Sequence, residues 1–111
     1  MRSKDIMITL QEAIETLKDK IADDYTRGGF NKSKEQFRDE LTVNEGSSYI
    51  KILHNNGVWG FIVKTESDRK FLKGDILKAA GYRKPARNRA RGNILNGDFS
   101  WVRWTGPAYL N

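Results

Sequence analysis

The 111-residue chain has no cysteine and one histidine, His54. Without cysteine there is no disulfide, no thiolate nucleophile and no cysteine-held zinc, which suits a reducing cytoplasm. A lone histidine beside a hairpin turn, without a thiol partner, builds neither a nucleophile–base pair nor a metal site. Long apolar runs are missing too. The longest, Val58–Val63, spans six residues and includes Gly60, against about 20 needed to cross a bilayer. Ile6-Met7-Ile8, behind Arg2 and Lys4, is too short for a signal-peptide core. No glycine-rich loop leads into a helix, and no calcium-loop pattern occurs. The adjacent carboxylates Asp23-Asp24 and Asp39-Glu40 would point apart on a helix, so neither makes an acid–base pair. These absences predict a soluble cytoplasmic protein that is not an enzyme and uses no cofactor, metal or membrane.

What is present is enough for a modest core. Apolar residues make up 38% and charged residues 31%, with three Trp, four Tyr and five Phe. That many aromatics argues against a disordered chain. The length predicts one domain over 1–111, with 1–8 as a flexible or extended arm. Leu10, Ala13, Ile14, Leu17, Ile21 and Tyr25 recur at helical steps and predict a helix over 9–27. Thr9 and Glu12 fit a capping box, and Gly28-Gly29 a stop. A second helix is expected from Ser33, capped with Gln36 and burying Phe37 and Leu41.

Asn56-Gly57 between two β-rich runs predicts a hairpin over 49–64. With those two at the turn centre, Ile52 faces Phe61 and Ile50 faces Val63. Ile50, Ile52, His54, Trp59, Phe61 and Val63 then share the core face. Asp75 is expected to cap a short helix through Ile76, Leu77, Ala79 and Ala80, closed by Gly81. Pro85 suits the first position of another, ending at Gly92. A strand is expected from about Phe99 to Thr105. The fold class is thus α+β: an N-terminal helix or helix pair packed on a small antiparallel sheet (hairpin 49–64 plus strand 99–105), with two short basic helices between.

Charge is the most directive feature. Lys64 to Arg91 carries ten Lys or Arg against three acids, a balance of +7 where the whole chain is +6. Residues 1–48 hold eight bases and ten acids. Arg83-Lys84-Pro85-Ala86-Arg87-Asn88-Arg89-Ala90-Arg91-Gly92 contains five bases and no acid. Such concentration points to a polyanion. The competing readings are solvated charge, pairing with the acidic N-terminal helix, and an acidic protein partner. On a helix from Pro85, Arg87 and Arg91 would share a face, with Arg83 and Lys84 at its N-terminus where an anion is favoured. Single strands are held by aromatic stacking beside a positive groove, for which Tyr49, Tyr82, Trp101, Trp104 and Tyr109 are available. Tyr82 and Trp104 are the leading pair.

Lys73–Gly81, Pro85–Asn93 and Trp104–Leu110 together resemble segments of small uncharacterised accessory proteins of tailed bacteriophages. The resemblance covers roughly the C-terminal half. It implies a protein made in a bacterial host cytoplasm that binds nucleic acid or disables a host protein, and it carries no site residues with it. The expected function is non-catalytic nucleic-acid binding, DNA or RNA, through phosphate contacts by Arg83, Lys84, Arg87, Arg89 and Arg91, with Lys73 and Lys78 in outer support. The alternative is a module that docks on an acidic host protein.

Overall fold

The computed structural model describes residues 8–109. Its elements, in chain order, are α1 (Leu10–Arg27), α2 (Lys34–Asp39), β1 (Leu41–Glu45), β2 (Tyr49–His54), β3 (Gly57–Val63), β4 (Ile76–Leu77), β5 (Val102–Arg103) and β6 (Gly106–Pro107). The expected α+β class is what forms. Of the expected N-terminal arm, all but Ile8 lies outside the described residues.

The helices begin where their caps direct. Glu12 N–H donates to Thr9 Oγ1 at 3.1 Å, and Thr9 N–H donates back to Glu12 Oε1 at 3.0 Å. Ser33 and Gln36 repeat the device on α2. Caps of this kind are each worth about 1 kcal/mol. Helix α1 buries Ala13, Ile14, Leu17, Ile21, Ala22 and Tyr25, the face its periodicity predicts. Helix α2 stops at Asp39, so Leu41 is buried as the first residue of β1 and not on the helix.

Strands β1 to β4 form one antiparallel sheet in the order β1-β2-β3-β4. The β2–β3 register corrects the expected pairing. His54 pairs with Gly57, so the turn residues are Asn55 and Asn56, with Asn55 at φ 53°. An irregularity then places Leu53 opposite Val58 but Ile52 opposite Gly60, leaving Trp59 as an extra residue. Beyond this bulge Ile50 faces Ile62, not Val63. One extra residue moves every later side chain to the other face. Ile50, Ile52, Trp59, Ile62 and Ile76 therefore join α1 in the main core, while Phe61, Val63, Phe71 and Leu77 form a second cluster on the opposite side. Each fully buried Ile, Leu or Phe contributes about 1.5–3 kcal/mol, so both faces support the sheet.

The two expected basic helices do not form. Ile76 and Leu77 pair with Ile62 and Phe61 of β3, giving that strand a partner on its second edge. The following segment runs back beside β4: Ala86 N–H donates to Lys78 O, Arg91 N–H to Ile76 O, and Ile76 N–H to Gly92 O, at 2.7–3.0 Å. Helices of five to eight residues are marginal by themselves, and the extended course satisfies these backbone groups against the sheet. Gly92, at φ +103°, ends no helix; a Cβ there would lie 2.4 Å from Asp98 O. Asp75 caps no helix either. It accepts from Leu72 N–H and Asn93 Nδ2, both at 2.9 Å.

The expected strand 99–105 is extended only at Val102–Arg103, which pairs with Gly106–Pro107 as a separate ribbon. That ribbon lies between α1 and β3. Val102 enters the main core, Trp59 Nε1 donates to Arg103 O at 2.7 Å, and Pro107 lies close enough to Gly60 that a Cβ there would meet it at 3.1 Å.

Candidate functional site

The basic connection runs along the β4 edge and over the sheet face away from α1. Because it is irregular, helical spacing does not group its cations.

Lys73, Arg83 and Lys84 are exposed, and no carboxylate among the described residues pairs with them. Arg83 lines a groove of about 350 Å³ with Ser47, Ser48, Tyr49, Lys51 and Phe61. Tyr82 beside it is 58% exposed, and Lys51 Nζ lies 4.1 Å from its ring centroid.

Arg87 is a clasp. Its Nη1 and Nη2 donate to Asp68 Oδ2 and Oδ1, both at 2.9 Å, and Nη1 also donates to the Tyr49 hydroxyl. Asp68 accepts the N–H groups of Lys70 and Phe71 as well, at 2.8 and 2.9 Å. The Arg87 fork, followed by those two N–H groups, holds the Asp68 carboxyl far below the usual carboxylate range, and Asp68 in turn raises Arg87. This charge is neutralised where it stands.

Arg91 is 3% exposed. It shares no helical face with Arg87; its Nη1 donates to Asn88 Oδ1 at 3.0 Å and to Arg89 O at 2.8 Å, while Nε has no partner. Lys78 Nζ, half-buried, donates to Pro107 O at 2.8 Å and sits 3.8 Å from the Tyr109 ring centroid. Arg89 is exposed, its guanidinium 5.6 Å from the centroid of Trp101.

Of the two leading aromatic candidates, Tyr82 is the more open to a ligand. Trp104 is half-buried, edge-on to Tyr25 at 5.5 Å and Phe30 at 5.2 Å, with its backbone N–H donated to Asp24 Oδ2 at 2.8 Å. Asp24 is thus a structural acceptor and not merely solvated. His54 stacks on Phe37 at 4.4 Å and bonds Glu40 Oε1 at 2.8 Å.

The acids of α1 do not neutralise the basic connection. Arg38 bridges Glu15 at 2.7 Å and Asp19 at 2.6 Å, Lys34 pairs with Asp23 at 2.9 Å, and Arg27 with Asp24 at 3.0 Å. Sequence reasoning missed Lys51, Ser47 and Ser48 as neighbours of Arg83, although Lys51 is not among the residues of the hairpin's expected core face. It also missed Asp68 as the partner of Arg87; nothing in the order of residues signals a contact across 19 positions.

Among the described residues no cluster of three His, Asp or Glu is arranged to hold a metal, and no helix is long and apolar enough to cross a membrane. No family model, curated protein or solved structure matches the chain.

Proposed function

We propose that the chain is a non-catalytic nucleic-acid-binding protein that contacts phosphates through its basic connection. The observation that carries this is an imbalance. Arg69, Lys70, Lys73, Lys78, Arg83, Lys84, Arg89 and Arg91 have no carboxylate within ion-pair distance among the described residues, while the cations of α2 are matched to the acids of α1. A surface field of one sign attracts a polyanion, and release of its counterions drives the binding. Exposed Tyr82 beside Arg83 adds a stacking surface. Phosphate contacts position a protein without reading bases, so weak sequence preference follows. The setting proposed with it is that of a tailed-bacteriophage accessory protein in a bacterial cytoplasm, on the resemblance of the C-terminal half.

The test is an anisotropy titration with labelled single-stranded DNA, duplex DNA and RNA at several salt concentrations, with Lys73→Ala/Arg83→Ala/Lys84→Ala alongside. These three side chains are exposed and without carboxylate partners, so the variant should fold normally and bind more weakly. Losing three phosphate contacts flattens the log–log salt slope by about 2 to 3 units. If nothing binds at low salt and one acidic host protein co-purifies instead, the protein-docking alternative replaces this reading.

A further inference from the structure

We infer that Lys78, Arg89 and Arg91 form a seat for one phosphodiester of single-stranded nucleic acid, flanked by Trp101 and Tyr109 as base platforms. The inference rests on the nucleic-acid reading above and assigns it a place and a strand form. A guanidinium as buried as Arg91 normally has a carboxylate, because burying an uncompensated charge is strongly unfavourable. Here the charged groups acting on Arg91 are themselves cations. Burial first, and Arg89 second, hold Arg91 below its ordinary range; burial first, and Arg91 second, do the same to Lys78. The backbone oxygens of Arg89 and Pro107 solvate these cations but carry no net charge. The seat is therefore positively charged, partly desolvated and without a counter-ion among the described residues. In such surroundings an anion gains more than in water.

The topology assembles the seat deliberately from two distant stretches. The strand pairing of Ile76–Leu77 sets Lys78 at the sheet edge, and Arg91 is drawn beside it by its N–H bond to Ile76 O at 2.7 Å. Lys78 is tied to Pro107, and Ala108 N–H donates to Trp101 O at 2.8 Å, which keeps the Tyr109 ring near Lys78 and the Trp101 ring near Arg89. Tyr109 is 77% exposed and Trp101 half-buried. Arg89 and Lys78 meet the phosphate, Arg91 acts beside them as fixed charge, and the two rings take the neighbouring bases. A duplex, whose bases are stacked internally, cannot use those rings.

The experiment compares (dT)12, an abasic strand of equal length and inorganic phosphate as probes of the intact protein, by anisotropy and by shift in Tm. In the unaltered protein (dT)12 should bind more tightly than the abasic strand and raise Tm. Arg91→Met, which replaces the buried charge with an apolar chain of similar length, should keep or raise the Tm of the free protein and weaken (dT)12 about tenfold. Should that variant fail to fold, Lys78→Gln/Arg89→Gln reads the same seat from its surface. Trp101→Leu/Tyr109→Ala should reduce the preference for (dT)12 over the abasic strand, leaving the part that Tyr82 supplies. The seat is overturned if (dT)12 binding is unchanged in Lys78→Gln/Arg89→Gln while Lys73→Ala/Arg83→Ala/Lys84→Ala weakens it, an outcome that leaves the wider reading intact. A Tm rise with inorganic phosphate equal to that with (dT)12 overturns the single-strand assignment. Failure of the unaltered protein to bind any strand removes both.

Discussion

The α1–α2 layer and the connection from Arg69 to Arg91 are both rich in charge, yet they use it in opposite ways. In the first, most cations lie on carboxylates: Arg38 between Glu15 and Asp19, Lys34 on Asp23, Lys18 on Glu15 at 3.5 Å; Lys20, over the Phe99 ring, is the exception among the described residues. In the second, Arg87 on Asp68 is the one ion pair among the described residues, and the other cations face solvent, aromatic rings or backbone carbonyls. A paired surface is locally neutral and has little reach; an unpaired one projects a field over roughly a Debye length, about 8 Å at physiological salt. Net charge alone hides this difference. The aromatic residues divide the same way, with Trp104 half-buried and packed edge-on against Tyr25, Phe30 and Phe37, and Tyr82 open beside the free cations.

The sharpest way to break the comparison is to exchange its aromatics. Trp104→Ala removes a ring packed against three others and should cost about 3 kcal/mol of stability, leaving the nucleic-acid affinity of the folded fraction unchanged. Tyr82→Ala should leave denaturant midpoints nearly unmoved and weaken single-strand binding about tenfold. If Trp104→Ala spared stability and removed binding, the division drawn here would be wrong.

Asp68→Asn sharpens the boundary between the regions by releasing Arg87. Affinity for single strands should rise as one more cation becomes free, while stability falls with the loosened 68–71 turn. The pH dependence follows from the sign of the perturbation. The Asp68 carboxyl is held well below its unfolded value of about 3.9. Its contribution is complete above that value and declines as pH falls below about 4 toward the folded value. The stability gap between the unaltered protein and Asp68→Asn, read from Tm between about pH 7 and pH 3, should therefore narrow on the acid side. A gap that widened there would contradict the assignment.

The smallest effect belongs to Arg38→Ala. Its bridges to Glu15 and Asp19 are surface pairs, worth below about 1 kcal/mol, and binding should not change. A large loss of affinity would extend the interface to the helical layer.

What was legible in the sequence follows the range of the interactions. Both helix starts were readable because a capping box closes within three residues, and the buried face of α1 because its period is local. The hairpin was readable but its faces were not, since the Trp59 bulge depends on packing against β5 and β6 and shifts Phe61 and Val63 across the sheet. β1 was missed because four of its five residues are exposed, so no apolar run marks it. Ile76-Leu77 read as a helix because the pairing with β3 that makes it a strand lies about 15 residues away. The candidate cations were identifiable as a group from composition. Which are clasped, buried or free depends on Asp68, Asn88 and Pro107, partners that only the folded chain brings together.

The most direct test of the account is the salt dependence of binding to labelled (dT)12, between about 50 and about 200 mM salt. Four or five phosphate contacts predict a log–log slope of about −3 to −3.5 on a single strand, reduced to about −1 in Lys73→Ala/Arg83→Ala/Lys84→Ala. Affinity that stays level across that range, or a variant with the unaltered slope, would show that the unpaired cations are not a phosphate interface.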